Sequence, residues 1–321
     1  MLRKRIPKLN WINRKSSVGR SVALGTFDGV HLGHQKLIHE AVHRRPQAGS
    51  SCVFTFDVPP EQYFKGNLAL LTSFDQKVQR IQGFGIDEVA WLPFSEEISS
   101  LEAEQFVESL LVEQLQVREV VCGFDYRFGK QRRGDVEFLR QCGREFGFGV
   151  TVVEAVEAVS GEVISSTKIR GLLAQGELEK AVSFLGAYPS YVGQVVRGAG
   201  RGRLLGFPTA NLQIDPSLVL PGEGVYLTWS LLGSDLGVPS VTSIGKNPTF
   251  AGEVQTMEAF ILDFSGDLYG QELEIQFLAR LRDIERYESI QQLRAQIEAD
   301  VEQARQMLAG FHLQDQRIVL E

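Results

Sequence analysis

The chain has 321 residues, 43% of them apolar and 23% charged, with a formal net charge of −7. That is the composition of a folded globular protein long enough for about two domains, and its acidity argues against general binding to nucleic acid or to anionic membranes. No apolar run reaches the ~18 residues of a membrane span. The basic start, Met1 to Arg5, leads into no apolar signal core, and the three cysteines (Cys52, Cys122, Cys142) lack metal or disulfide spacing. Together these features predict a cytoplasmic enzyme.

Residues 1–20 are polar and basic, with Trp11 and Ile12 as packing anchors. A β-prone run, Val22 to Leu24, then enters a turn built on Gly25 and Gly29 and leaves through Gly33 and His34 into a helical pattern near Gln35. Strand, glycine turn and helix form the opening unit of a doubly wound sheet, whose ligands sit at the carboxyl ends of strands. His31 and His34 flank Gly33 at the helix start, where the dipole and unpaired amides favour anions. The imidazoles add either donors or positive charge, so the turn reads as a triphosphate cradle. A surface pair or half of a metal site is the other reading, although no H-E-x-x-H pattern or nearby cysteine supports zinc.

Ser51 to Phe56 is the next strand, and Asp57-Val58-Pro59-Pro60 must be loop because proline cannot continue a central strand. Further on, Thr72 to Gln82 reads as a helix, Val89 to Pro93 as a strand, Ala103 to Leu115 as an amphipathic helix and Val117 to Cys122 as a strand. The loop from Asp125 to Gly134 carries aromatics and arginines. It either folds its aromatics back onto the core or uses them to bound a flat ring while the arginines reach phosphates. A helix (Glu137 to Phe146) and a strand (Val150 to Val153) follow, then Ile164-Ser165-Ser166-Thr167-Lys168-Ile169-Arg170 at a helix start. The hydroxyls suit N-caps, but basic residues in a first turn oppose the dipole unless an anion is expected there. The alternation predicts a parallel sheet covered on both faces.

Leu185 to Ser190 breaks that rhythm, placing a domain boundary near residue 187, with 1–186 before it and 187–321 after. Short alternating segments then recur (Val192 to Val196, Gly224 to Ser230, Ser240 to Ile244, Glu258 to Phe264, Leu273 to Leu278), the pattern of an antiparallel barrel. Ser289 to Leu308 reads as a long amphipathic helix packed on it. Gly198-Ala-Gly200-Arg201-Gly202-Arg203 alone could be a simple loop, and it fits no G-x-x-x-x-G-K-S/T phosphate loop.

Taken together, Gly25-Thr-Phe-Asp28-Gly-Val-His31-Leu-Gly33-His34, the Ser165-Ser166-Thr167 segment and Gly198 through Gly206-Phe-Pro-Thr209-Ala-Asn211 resemble the bacterial bifunctional riboflavin kinase/FAD synthetase family. The resemblance covers nearly the whole chain. It implies a Rossmann-like nucleotidylyltransferase domain followed by an antiparallel β-barrel domain with a C-terminal helix. The first would adenylylate FMN to FAD with release of pyrophosphate, and the second would phosphorylate riboflavin to FMN, both using ATP. Carried over residue by residue, His31, His34 and Arg170 would act at the adenylyl site. Gly25, Asp28, Gly33, Ser165, Ser166, Thr167, Gly200, Arg201, Gly202 and Arg203 would bind nucleotide phosphates. Asp125, Phe128 and Arg282 would meet flavin, Thr209 and Asn211 would hold Mg²⁺, and Glu258 would be the kinase's general base. Val58 and Pro59 stand where the family's F-x-P-H-P loop carries proline and histidine. A kinase whose first domain only binds flavin or nucleotide is therefore the alternative reading.

Overall fold

The computed structural model describes residues 7–15, 19–198, 200, 202, 205–233, 236–249 and 252–320, and the side chains at 247–249 and 252–254 lie outside the description. Contacts divide the chain into two compact units, 1–166 and 167–321.

The first unit is built on a sheet of β1 (Asn10–Ile12), β2 (Arg20–Leu24), β3 (Ser50–Phe56), β4 (Glu88–Leu92), β5 (Val117–Gly123) and β6 (Gly149–Val153). Its order is β1-β4-β3-β2-β5-β6, with β1 antiparallel to β4 and the other pairs parallel. The strand sequences explain the layers. Val22, Leu24, Cys52, Phe54, Val120 and Cys122 turn to one core, while Ala23, Val53, Val89 and Val121 turn to the other. Apolar residues pointing to both sides of the strands are what a sheet covered on both faces requires. Helix α1 (Leu32–His43) packs on one side through Leu37, Ile38 and Ala41. β2 pairs with β3 on one edge and β5 on the other, so the chain order reverses there. The crevice at the carboxyl end of β2 is therefore the sheet's switch point.

Two elements differ from expectation. Pro60 does not extend a loop but opens a short helix, α2 (Pro60–Lys65), in which proline's missing N–H costs nothing at the first position. The helix read from Ala103 begins as α5 (Ala103–Gln105) but continues from Phe106 to Gln114 with wider spacing, the Leu115 amide reaching the Leu110 carbonyl at 2.9 Å. Between them, α3 (Phe74–Gly83) follows a Ser73–Gln76 capping box, and α4 (Glu96–Ser99) is a single turn. α6 (Val136–Phe146) is capped by Asp135.

The second unit is a closed barrel of β7 (Ser190–Val196), β8 (Ala210–Ile214), β9 (Gly224–Leu232), β10 (Leu236–Thr249), β11 (Gly252–Ile261) and β12 (Glu272–Arg282), ordered β10-β11-β8-β7-β12-β9 and antiparallel throughout. Alternate residues of β9 (Val225, Leu227, Trp229, Leu231) pack outward with Leu278 and with Ala304 and Met307 of the long helix α9 (Ile290–Leu308). The intervening Thr228 and Ser230 are fully buried on the other side of the wall, where they and Ser240 and Thr242 satisfy one another at 2.7 Å. A hairpin of β13 (His312–Gln314) and β14 (Arg317–Val319), not foreseen, docks through Trp229 Nε1 to the Gln316 carbonyl (2.8 Å).

The contact division falls after Ser166, and the change of composition falls near residue 187. Helices α7 (Ser166–Ala174) and α8 (Leu178–Leu185) associate with the barrel: the Gly222 amide donates to the Leu173 carbonyl (2.8 Å), and Arg280 Nη1 to that of Gln175 (3.4 Å). Composition changes near residue 187, but packing assigns a helix to whatever covers its apolar face.

Candidate active sites

In the first unit the switch-point crevice is filled by the turn from Gly25 to His34. The helix opens at Leu32, earlier than expected, so His31 is its N-cap and His34 lies in its first turn. His31 Nδ1 accepts the His34 amide (3.3 Å), which fixes the neutral tautomer with its proton on Nε2. The two imidazoles stack at 3.7 Å between centroids, 16° apart. Gly33 permits this: a Cβ there would lie 3.1 Å from the His31 ring. Gly25 similarly leaves room for the Phe27 ring.

Burial first, then the neighbouring His31 and Lys77, holds His34 well below the ordinary imidazole range. His34 is neutral at pH 7, so the pair offers hydrogen-bond donors rather than two positive charges. Its Nδ1 is buried without a hydrogen-bond partner among the described residues. The turn is held in a costly conformation, with Phe27 at φ +53°, Gly29 at +82° and β-branched Val30 at +46°. Phe27 and Val30 are both buried, which keeps it there. Asp28, expected to bind nucleotide, turns inward, and its Oδ1 accepts the amides of Leu71 (2.9 Å) and Thr72 (3.4 Å). It shapes the turn from behind. Ser166 Oγ donates to the Asp28 carbonyl (2.9 Å), so the hydroxyl segment is tied to the histidine turn. Ser165 precedes it, half-buried, while Thr167 and Arg170 follow on α7, exposed and half-buried respectively.

Sequence reasoning missed Lys77 on α3, which is 3% exposed. It stands on the apolar stripe of Phe74, Val78 and Ile81 at helical spacing, and that was the available signal. The exposed pair Tyr63 and Phe64 was also missed. Both rings meet Phe94 edge-on, at 5.3 and 5.8 Å, beyond the carboxyl end of β3.

Two residues expected to meet flavin have partners within the fold. Phe128 is 5% exposed and packs on Phe106 (5.0 Å), Tyr126 and Phe138, so its ring belongs to the core and presents no open face. Arg282 directs Nε and Nη2 at the two Asp300 oxygens (2.8 and 2.7 Å), a bidentate pair that fastens α9 to the barrel. Asp125 is exposed at the end of β5, beside Phe124, which is also exposed.

In the second unit, β8 and β11 pair so that Asn211 lies directly opposite Glu258, which puts both side chains on one face of the barrel. Thr209 Oγ1 donates to Glu258 Oε2 at 3.3 Å. Gly198 lies against the Asn211 side chain so closely that any Cβ there would overlap its amide. A Cβ on Gly202 would overlap the Phe207 carbonyl and come within 3.2 Å of Thr209 Oγ1. Gly198 and Gly202 thus approach the Asn211 and Thr209 side chains more closely than any residue with a Cβ could. Gly200 takes φ +70° with open space around it, whereas Arg201 and Arg203 lie outside the described residues.

Comparison with known proteins follows the same division. Residues 13–168 match the family model described as FAD synthetase, and 185–308 the one described as riboflavin kinase. A bifunctional riboflavin kinase/FMN adenylyltransferase of Pseudomonas fluorescens is 36% identical over 91% of this chain and 94% of its own. That of Escherichia coli K12 is 35% identical over 90% and 92%. A solved Streptococcus pneumoniae protein described as a macrolide-efflux protein superposes with a TM-score of 0.80 at 33% identity, covering 89% of this chain and 94% of that one. Among the described residues, no helix here is long and apolar enough to cross a membrane. Because both halves are matched, the kinase-only reading is not supported. The chain belongs to the bifunctional riboflavin kinase/FMN adenylyltransferase family, making FMN from riboflavin and FAD from FMN at the expense of ATP.

Proposed function

We propose that each unit carries one reaction, adenylyl transfer at the histidine turn and phosphoryl transfer at the Glu258 group. The observation that carries this division is the placement of two chemically complete residue groups in separate units: the stacked His31–His34 pair at a helix N-terminus, and Thr209, Asn211 and Glu258 on paired strands.

In adenylyl transfer the FMN phosphate attacks the α-phosphorus of ATP, the bond to the bridging oxygen breaks, and pyrophosphate leaves. The nucleophile is the substrate's own phosphate, so catalysis rests on positioning and on stabilising charge. His31 and His34, as neutral donors, and the α1 amides suit the leaving pyrophosphate. Ser165 and Ser166 are assigned to the remaining phosphate oxygens, whereas Thr167 and Arg170 are assigned there by the family resemblance alone.

In phosphoryl transfer the primary alcohol of riboflavin attacks the γ-phosphorus and ADP leaves, with Glu258 taking the alcohol's proton. Thr209 and Asn211 would hold Mg²⁺ through oxygens that suit a hard cation sharing its shell with phosphates. The Glu258 carboxylate 3.3 Å from Thr209 Oγ1 fits that donor set. When bound, the ion would neutralise charge on the transferring group. The acidic balance of the chain and its scattered, unpaired cysteines support a cytoplasmic enzyme acting on small molecules.

The test is direct. Purified protein is incubated with riboflavin, ATP and Mg²⁺, and FMN is separated from FAD. His34→Ala should suppress FAD formation from supplied FMN by about 10²- to 10³-fold, the worth of one well-placed transition-state donor, and leave FMN formation intact. A His34→Ala protein that still makes FAD at the unmodified rate would remove the turn from the reaction. Restoring the family loop with Val58→Pro and Pro59→His should leave the rate alike or raise it.

A further inference from the structure

An ammonium group buried inside a protein is expensive unless its surroundings repay the lost hydration. Lys77, at 3% exposed, is placed where that repayment has a functional geometry. Its Nζ donates to the Phe56 carbonyl at 2.6 Å and lies within 3.3 Å of the Thr26 carbonyl and 3.5 Å of the Asp57 carbonyl and Thr55 Oγ1. Thr26 belongs to the histidine turn after β2, whereas Phe56 and Asp57 are where β3 gives way to the Val58–Pro59 loop. One cation therefore ties together the carboxyl ends of the two strands beside the switch point. Thr55 Oγ1, which also donates to the Thr26 carbonyl (3.0 Å), completes the link.

We infer that Lys77 is the positioning residue of adenylyl transfer: its ammonium clamps the ends of β2 and β3 and so holds the His31–His34 turn in place. This rests on the histidine turn being the adenylyl site. The titratable groups around Lys77 come from each neighbouring element: Asp28 from the turn, Asp57 just after β3, His31 at the α1 N-cap and His34 in its first turn. On its own helix, Arg80 reaches the Gly29 carbonyl (3.5 Å). Asp28 and Asp57 favour the ammonium, but burial outweighs them and lowers Lys77 to about 8. The clamp is thus charged at neutral pH and discharges in mild alkali. The three cysteine thiols are all pushed upward by burial, away from that range.

The experiment compares the full-length protein with Lys77→Met and Lys77→Arg, measuring kcat and KM for FAD formation from FMN across pH 6 to 10. Riboflavin phosphorylation in the same samples reports on folding and on the other unit. Lys77→Met should lower kcat for adenylyl transfer by about 10²-fold, the usual cost of misplacing a reacting group by about 1 Å, with phosphorylation unchanged. The unmodified enzyme should lose adenylyl transfer above about pH 8. Lys77→Arg keeps its charge there and should abolish that alkaline loss while recovering much of the rate. An unaltered rate in Lys77→Met overturns the inference. So does an unaltered alkaline limb in Lys77→Arg, which decides the matter if Lys77→Met fails to fold. His34→Ala separates the two levels: if it too leaves FAD formation untouched, the site reading falls along with the clamp. If it abolishes FAD formation while both Lys77 variants behave as unmodified protein, only the clamp falls.

Discussion

Replacing Glu258 by Gln isolates the proton-accepting oxygen of the kinase site with little else disturbed. The side chain is half-buried on β11, and its one described hydrogen bond is the 3.3 Å contact from Thr209 Oγ1. Glutamine keeps the volume and an acceptor oxygen, so the loss is confined to the difference between a charged and a neutral acceptor, about 1 kcal/mol or less at that distance. The expected effect on rate is far larger. Loss of a general base costs about 10²- to 10⁴-fold, which is roughly 2.7 to 5.5 kcal/mol of barrier. FMN formation should therefore fall by two to four orders of magnitude, on the scale of about 10²–10⁴, while the barrel's thermal midpoint stays near the unmodified value. Chromatographic separation of FMN in a riboflavin, ATP and Mg²⁺ reaction measures the first, and FAD formation from supplied FMN is the internal control. A kcat for phosphorylation within about threefold of the unmodified protein, far short of the general-base scale, would show that Glu258 accepts no proton.

Gly198→Ala should reduce phosphorylation by about 10²-fold through displacement of the Asn211 amide it would overlap, with adenylyl transfer unchanged; steady-state rates of both reactions check it. Glu88→Gln should destabilise the first unit by about 3–5 kcal/mol in a urea titration. Its carboxylate is buried against Arg20 Nε (2.7 Å) and Nη2 (3.1 Å), Ser50 Oγ and the Lys15 amide. Burial alone would raise the Glu88 pKa, but these donors hold it below the ordinary value. The unfolded chain then binds the proton more readily, so this stabilisation is present above the ordinary carboxylate value and is lost as pH falls below it through the lower folded-state value. Glu88→Gln should flatten that acid limb.

The features legible in the sequence were those written in contiguous residues. The histidine turn lies in one short segment whose glycines and helix start could be read together, and strands apolar at successive positions announced a sheet covered on both faces. What escaped reading depends on partners distant in the chain. Asn211 faces Glu258 because of a strand register, and β8 itself carried too little alternation to be read as a strand. Phe128 stood in a loop of aromatics and arginines that could either bound a ring or fold back onto the core, and Phe106 and Phe138, from two other elements, take its ring into the core. Arg282 was assigned from the family position alone, and its pairing with Asp300 of α9 lies beyond any local motif. Lys77 lay in plain view on an apolar stripe, where a charge is easily taken for solvated surface.

Strand β1 is only three residues long, yet it occupies the outer side of β4, pairing Asn10, Trp11 and Ile12 with Trp91, Ala90 and Val89. Removing it would leave β4 with open amides and carbonyls along an apolar strand, a template on which a second molecule could add its own edge. Trp11, between the guanidinium groups of Arg14 and Arg20 at 4.9 and 4.8 Å, pins this cover in place. The barrel closes on itself and has no such margin to guard. Colloidal behaviour is therefore divided unevenly along the chain: a protein trimmed or proteolysed before Arg14 would begin to self-associate through its first unit while its barrel remained inert to strand addition.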